Sequence, residues 1–337
     1  MHFSLPARVS LPAFFRKGQH ASSASSKDAA VVTAYLSKYL HEPKKVITKI
    51  LRSNRAFLNE VNRFRNCQQS DRNLEAHRSS FDFPQQQQFE SLSQEHPGSR
   101  VLVSYHFGDF IYGCSLLATR ENQHRQQYFL TQLQSTAAFT SNMQRSFGRD
   151  EVSRRIQLTT DSIDLIQLAS ALRRGNTSIL TFADLPTGFG ERVQVSFLGR
   201  DAWFPKGPAM LALAGKAALL PVINLKEKGR NQILLYPQIE TALREGESLI
   251  EAAHRITQEL VTILEAVICQ HPWQWRYLAA LPTYFNEAPL RLDGELSKHA
   301  PNKQIPKEAS YDNGCHRIPY QSPEPKLGQT VLSPVTG

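Results

Sequence analysis

Cysteine is scarce in this chain of 337 residues. Cys67, Cys114, Cys269 and Cys315 stand far apart, with no CxxC pair and no histidine at zinc-ligand spacing. That excludes the common zinc signatures and a disulfide framework, and makes a reducing compartment the default. Cys114 and Cys269 fall in apolar stretches and are expected as small core side chains. Long apolar runs are missing as well. A helix needs about 20 apolar residues to cross a bilayer, and the longest candidate, residues 209–225, is broken by Lys216 and Pro221. No membrane span is expected. The opening MHFSLPARVSLPAFFRKG interrupts its apolar residues with Pro6, Arg8 and Pro12, so a signal peptide is not expected either. Acidic residues are in deficit: 30 Asp and Glu against 39 Lys and Arg leave a net charge of +9. Such a surface favours an anionic partner, whether nucleic acid, an acidic membrane face or an acidic carrier protein. The basic residues are not interleaved with stacking aromatics and no nucleic-acid motif is present, so nucleic acid is not expected as a partner.

What is present is an alternation of strand-like and helix-like segments. Residues 1–28 are rich in Ser, Ala and Pro without period, and the Pro- and Lys-rich tail 287–337 is similar; both ends are expected to be disordered. Residues 29–286 are expected to form one α/β domain. Val32, Tyr35, Leu36 and Tyr39 make one apolar helical stripe, and Val46, Ile47, Ile50 and Leu51 begin another. Both helices carry basic residues opposite the stripe, as an anionic surface would select and as ordinary surface helices also show. A polar tract after Pro84 starts a further helix. Strands are expected over 101–104, 128–133, 157–160, 178–183, 194–198, 219–224 and 232–237. Helices are expected over 111–118, 163–174, 207–215 and 249–269. The pattern implies a mixed, mostly parallel central sheet flanked by helices.

The sharpest local feature is Ser104-Tyr105-His106-Phe107-Gly108-Asp109-Phe110. It presents an imidazole at the carboxyl end of a buried strand, where open α/β sheets bind ligands. A nearby carboxylate can hold the imidazole tautomer as a general base requires, and Gly108 permits close approach of backbone or substrate. Alone, this HxGD pattern fits a structural histidine as well as a base. A longer block runs Ser178-Ile179-Leu180-Thr181-Phe182-Ala183-Asp184, then Gly188-Phe189-Gly190-Glu191-Arg192-Val193-Gln194-Val195-Ser196-Phe197-Leu198-Gly199, then Gly207-Pro208-Ala209-Met210-Leu211-Ala212 and Gly215-Lys216-Ala217-Ala218-Leu219-Leu220-Pro221-Val222. A third block is His271-Pro272-Trp273-Gln274-Trp275.

Together these blocks, over about residues 30–285, resemble the lipid A biosynthesis late-acyltransferase family of the lysophospholipid acyltransferase superfamily. The family's HxGNWE segment corresponds to His106-Phe107-Gly108-Asp109-Phe110-Ile111, and its HPEQW segment to residues 271–275. The resemblance implies an acyltransferase-like fold and transfer of a fatty acyl group from a thioester to a hydroxyl of a lipid or glycolipid. The donor would be acyl carrier protein or acyl-CoA. It implies His106 as general base, no cofactor and no metal, and a peripheral place on the cytoplasmic face of the inner membrane, held to anionic lipid.

The chain also departs from the family pattern. The family's acidic partner stands five residues after the histidine, where this chain has Ile111, while Asp109 occupies the family's Asn position. Either Asp109 orients His106, or the relay is broken and the protein is a lipid- or carrier-binding relative. Asp109 also suits the N-cap of the following helix. Gly108, Asp184 and Arg192 are candidate substrate-binding residues, Arg192 as a donor to a developing oxyanion. Asp184 equally suits a loop cap. Trp273 and Trp275 are expected to pack against the core rather than to anchor at an interface.

Overall fold

Alternating strands and helices fold into a seven-stranded sheet covered on both faces, beside a separate two-stranded hairpin. The computed structural model describes residues 26–66, 77, 79–95, 98–121, 125–130, 156–159, 165–186 and 190–285. All of them lie within the unit Met1–Lys298. The expected disordered ends fall outside the described residues, except 26–28. Cys67, Cys315 and residues 188–189 also fall outside, as do the expected strand residues 131–133 and 160 and the expected helix residues 163–164.

The elements are α1 (Ser26–Tyr39), α2 (Lys44–Asn66), β1 (Phe81–Asp82), α3 (Gln86–Glu95), β2 (Arg100–Ser104), α4 (Phe110–Arg120), β3 (Gln126–Leu130) and β4 (Ile156–Thr159). They continue with α5 (Leu165–Arg174), β5 (Thr177–Phe182), β6 (Arg192–Phe197), β7 (Arg200–Pro205), α6 (Gly207–Gly215), β8 (Ala218–Glu227), β9 (Arg230–Leu235) and α7 (Leu249–Gln270). Short 3-10 segments close the described chain at Pro272–Gln274 and Leu278–Tyr284. Among the described residues no helix is long and apolar enough to cross a membrane.

Seven strands form the sheet in the order β1-β9-β8-β2-β5-β3-β4. All neighbours run parallel except β8 and β9, which pair antiparallel. The central strands β2 and β5 are buried at every position, the signature of parallel strands covered on both faces. Val101 and Val103 of β2 join Ile179 of β5 and Leu219 of β8 in one core with α1, α2, α5, α6 and α7. The alternate residues Leu102, Leu180 and Leu220 join a second core with Phe89 of α3 and Cys114 and Leu117 of α4.

The short strand β1, paired parallel with β9, was not foreseen. The strand β7 was not foreseen either: it pairs antiparallel with β6 through the two-residue turn Leu198-Gly199, both at positive φ (52° and 70°). That is the backbone a tight hairpin requires, with a leucine in an uncommon conformation at its first position. The exposed edge of β6 is occupied by Gln258 of α7, whose Oε1 accepts from Ser196 N at 2.8 Å and whose Nε2 donates to Ser196 O at 3.0 Å. Cys114 is buried as expected, but Cys269, against expectation, is exposed. The buried stripe of α7 runs through Ile256, Leu260, Leu264 and Ile268, and Cys269 falls just off it.

The amino-terminal edge of the sheet holds a buried charge cluster. Glu121 pairs with Arg100, whose Nε donates at 2.9 Å, accepts from Ser178 Oγ at 3.0 Å, and lies 3.4 Å from Arg125 Nε. Removing one member of a buried ionic cluster strands the others away from water. Glu121→Ala is therefore expected to lower unfolding free energy by about 3–5 kcal/mol, read as a shift in the urea midpoint. A shift under about 1 kcal/mol would show that the arginines find other acceptors.

Candidate functional site

Strand register builds the site. Ser104 of β2 lies opposite Phe182 of β5, and the ladder runs one step further, Ala183 N donating to Ser104 O at 3.1 Å. Two residues beyond each strand stand His106 and Asp184. Parallel strands leaving the sheet at one level set these side chains against each other. His106 Nδ1 lies 2.8 Å from Asp184 Oδ1, and the His106 backbone N–H donates to Asp184 Oδ2 at 2.8 Å.

Asp184 is fully buried, and a buried carboxylate needs donors. The third is the indole Nε1–H of Trp275, at 2.9 Å from Oδ2. Tyr284 O–H donates to the Asp184 carbonyl at 2.7 Å. The HPWQW block is thus part of the site. Phe107 and Trp275 form a β-bridge, Gly108 N donates to Gln274 O at 3.2 Å, and Arg276 N donates to His106 O at 2.9 Å. The Gln274 amide clasps Lys226 of β8, accepting from its N and donating to its O, each at 2.7 Å. Buried Asn54 of α2 donates to the carbonyls of Trp273 and Trp275. Trp275 is buried in the core as expected, and in addition it holds the carboxylate.

The imidazole sits among aromatic rings. Centroids of Phe182, Phe110 and Tyr277 lie 4.3, 4.6 and 4.8 Å from that of His106, whose side chain is 11% exposed. With Asp184 accepting at Nδ1, the ring proton belongs on Nδ1 and the Nε2 lone pair is left to accept a proton. Burial, and then the charge of Asp184, push the phenols of Tyr277 and Tyr284 above their ordinary range, so both stay protonated.

The other candidates are placed differently from the expectation. Asp109 stands at the N-cap position of α4 without a side-chain capping bond; its Oδ2 lies 3.1 Å from His77 Nε2. The carboxylate on the His106 ring is Asp184. Gly108, at φ 59°, would bring a Cβ within 2.3 Å of the Asn224 carbonyl, so its close approach is to β8. Arg192 donates to Leu185 O at 2.7 Å and lies over the Tyr284 ring at 5.6 Å. Among the described residues its Nε and Nη1 are buried without a hydrogen-bond partner, and burial lowers its pKa. Sequence reasoning missed His77 and the roles of Trp275, Tyr277 and Tyr284; the invisible element was which strand lies beside β2.

A side chain at Gly108 meets both the wrong φ and the Asn224 carbonyl. Gly108→Ala is expected to cost about 2 kcal/mol or more, measured by denaturant unfolding. A neutral result would show that this loop moves off β8 without penalty.

The sequence profile of the bacterial lipid A biosynthesis acyltransferase family matches residues 30–281. A search of curated proteins found no match. The matched stretch contains both strand ends, the HPWQW block and Tyr277, and this chain belongs to the bacterial lipid A biosynthesis acyltransferase family.

Proposed function

We propose that this acyltransferase moves a fatty acyl group from a thioester, on acyl carrier protein or coenzyme A, to a hydroxyl of a lipid or glycolipid acceptor, with His106 as general base. The observation that carries this reading is the His106–Asp184 pair at the carboxyl edge of β2 and β5. Asp184 holds the Nδ1 proton and balances the imidazolium that forms when Nε2 takes the hydroxyl proton. The hydroxyl oxygen attacks the acyl carbonyl, the carbon–sulfur bond breaks, and the imidazolium returns the proton to the departing thiolate. Asp109 serves by fixing the start of α4 against His77. The rival reading, a relative that binds lipid or carrier without transfer, stood on the missing acid at Ile111; a carboxylate at the His106 ring removes its main support.

Arg192 is the proposed substrate contact, because two of its nitrogens have no hydrogen-bond partner among the described residues and it is anchored one residue from Asp184. A peripheral place on the cytoplasmic face of the inner membrane is supported by the net charge of +9. The solvent face of α2 adds to it: Lys44, Lys45, Lys49, Arg52 and Arg55 are exposed there, suited to anionic lipid.

With dodecanoyl-(acyl carrier protein) and a detergent-dispersed lipid A precursor, His106→Ala and Asp184→Asn are each expected to lower acyl transfer by about 100-fold or more. Asp109→Asn is expected to cost less than about tenfold, since its carboxylate acts at one remove. Product mass spectrometry reads both. Wild-type transfer by His106→Ala sinks the mechanism; a greater loss in Asp109→Asn than in Asp184→Asn reverses the assignment of the carboxylates. Arg192→Lys is expected to raise KM more than it lowers kcat.

A further inference from the structure

Transfer of an acyl group places a negative charge on the carbonyl oxygen, and a pre-aimed donor at that oxygen is a large catalytic contribution. Several N–H groups around the imidazole are already committed. His106 N donates to Asp184, Phe107 N to Tyr105 O and Gly108 N to Gln274 O, and the indole of Trp275 to Asp184. Of the three rings around the His106 imidazole, Phe110 and Phe182 have no polar hydrogen. Tyr277 has one. Its ring is 4.8 Å from that of His106 and tilted 56° to it, and among the described residues no hydrogen bond engages its hydroxyl. The side chain keeps partial exposure, although its phenol is packed closely enough for burial to raise its pKa. The backbone just before it is pinned by Arg276 N to His106 O, which ties the position of Tyr277 directly to that of the base.

We propose that the Tyr277 hydroxyl is a catalytic donor that binds the acyl carbonyl oxygen and stabilises the oxyanion formed when the acceptor attacks. The inference rests on the reading of His106 as base. His106 Nε2 removes the acceptor proton, the new carbon–oxygen bond forms, and the carbonyl π electrons move onto the oxygen held by the Tyr277 O–H. The electrons then return, the carbon–sulfur bond breaks, and the thiolate leaves with the proton from His106. Tyr277 keeps its own proton throughout, consistent with a phenol that burial and the Asp184 charge hold in its neutral form.

Tyr277→Phe keeps the ring against His106 and removes the donor. In the full chain, with dodecanoyl-(acyl carrier protein) and a detergent-dispersed lipid A precursor, it is expected to lower kcat by about 100-fold with little change in KM. Tm should stay near that of the parent, because the packing is retained. Site-specific 3-fluorotyrosine at position 277, a more acidic donor of nearly the same shape, is expected to retain or exceed the parental kcat. A parental kcat in Tyr277→Phe, or a loss confined to KM, overturns the proposal. So does a fluorotyrosine enzyme as slow as the phenylalanine variant. His106→Ala is measured alongside: if it is inactive while Tyr277→Phe is fully active, only the oxyanion inference fails; if His106→Ala is itself active, the base reading fails.

Discussion

A carboxylate shut away from water at the end of β5 sets the terms for the structure around it. Asp184 sits at zero exposure, and an ion there is tolerated only where donors converge on it. They come from segments far apart in the chain: the ring and backbone of His106, 78 residues away, and the indole of Trp275, 91 residues away. Tyr284 secures the main chain at the same point. The post-α7 segment is therefore a structural part of the site although it lies outside the sheet. Asn54 on α2 and Lys226 on β8 hold that segment in turn. His106 cannot be set against Asp184 until the first helices, the central strands and the last turns have all met.

The same sheet carries buried ionic groups at both ends of its central strands. Glu121 and its arginines close the amino-terminal edge with a second buried charge cluster, whereas the His106–Asp184 pair occupies the carboxyl edge. Both clusters straddle β2 and β5: Arg100 begins β2 and Ser178 lies near the start of β5. One strand pair is thus anchored by ions at both ends, with four buried, mostly apolar ladder positions between them. In a low-dielectric layer each ionic end is costly to leave half-made, so register slips of β2 on β5 are penalised twice. A fixed register is what brings His106 level with Asp184.

The sequence made some of this legible. Strand-like and helix-like periods located the central strands and α6 to within a residue or two, and a histidine just beyond a buried strand marked the edge where the His106–Asp184 pair stands. The partner of that histidine was not legible. Proximity along the chain favoured Asp109, three residues on, but α4 starts at Phe110 and Asp109 meets His77. Asp184 was noticed as a strand-end acid, and nothing local says that β5 lies beside β2, because strand order is a global property of packing. Trp275 was expected as core filler, and it is; the indole N–H that binds Asp184 is invisible until the bridge with Phe107 is known. The strand β7 escaped notice because its turn uses Leu198 where Asn or Asp would be expected.

The aromatic surround of His106 bears on why an alcohol, rather than water, would take the acyl group on the proposed mechanism. Water enters an apolar cleft at a cost because it loses partners there, and a lipid hydroxyl arrives with its own apolar body. Phe110 and Phe182 border the imidazole and offer water no hydrogen bond. When the ring becomes an imidazolium, these rings, with centroids 4.6 and 4.3 Å away, offer it no counter-charge. The Asp184 carboxylate supplies that charge at the opposite nitrogen. A site arranged in this way lowers the cost of charging the base without admitting the solvent that would hydrolyse the thioester. That combination asks for apolar walls and one buried counter-charge, which is what the ends of β2 and β5 provide.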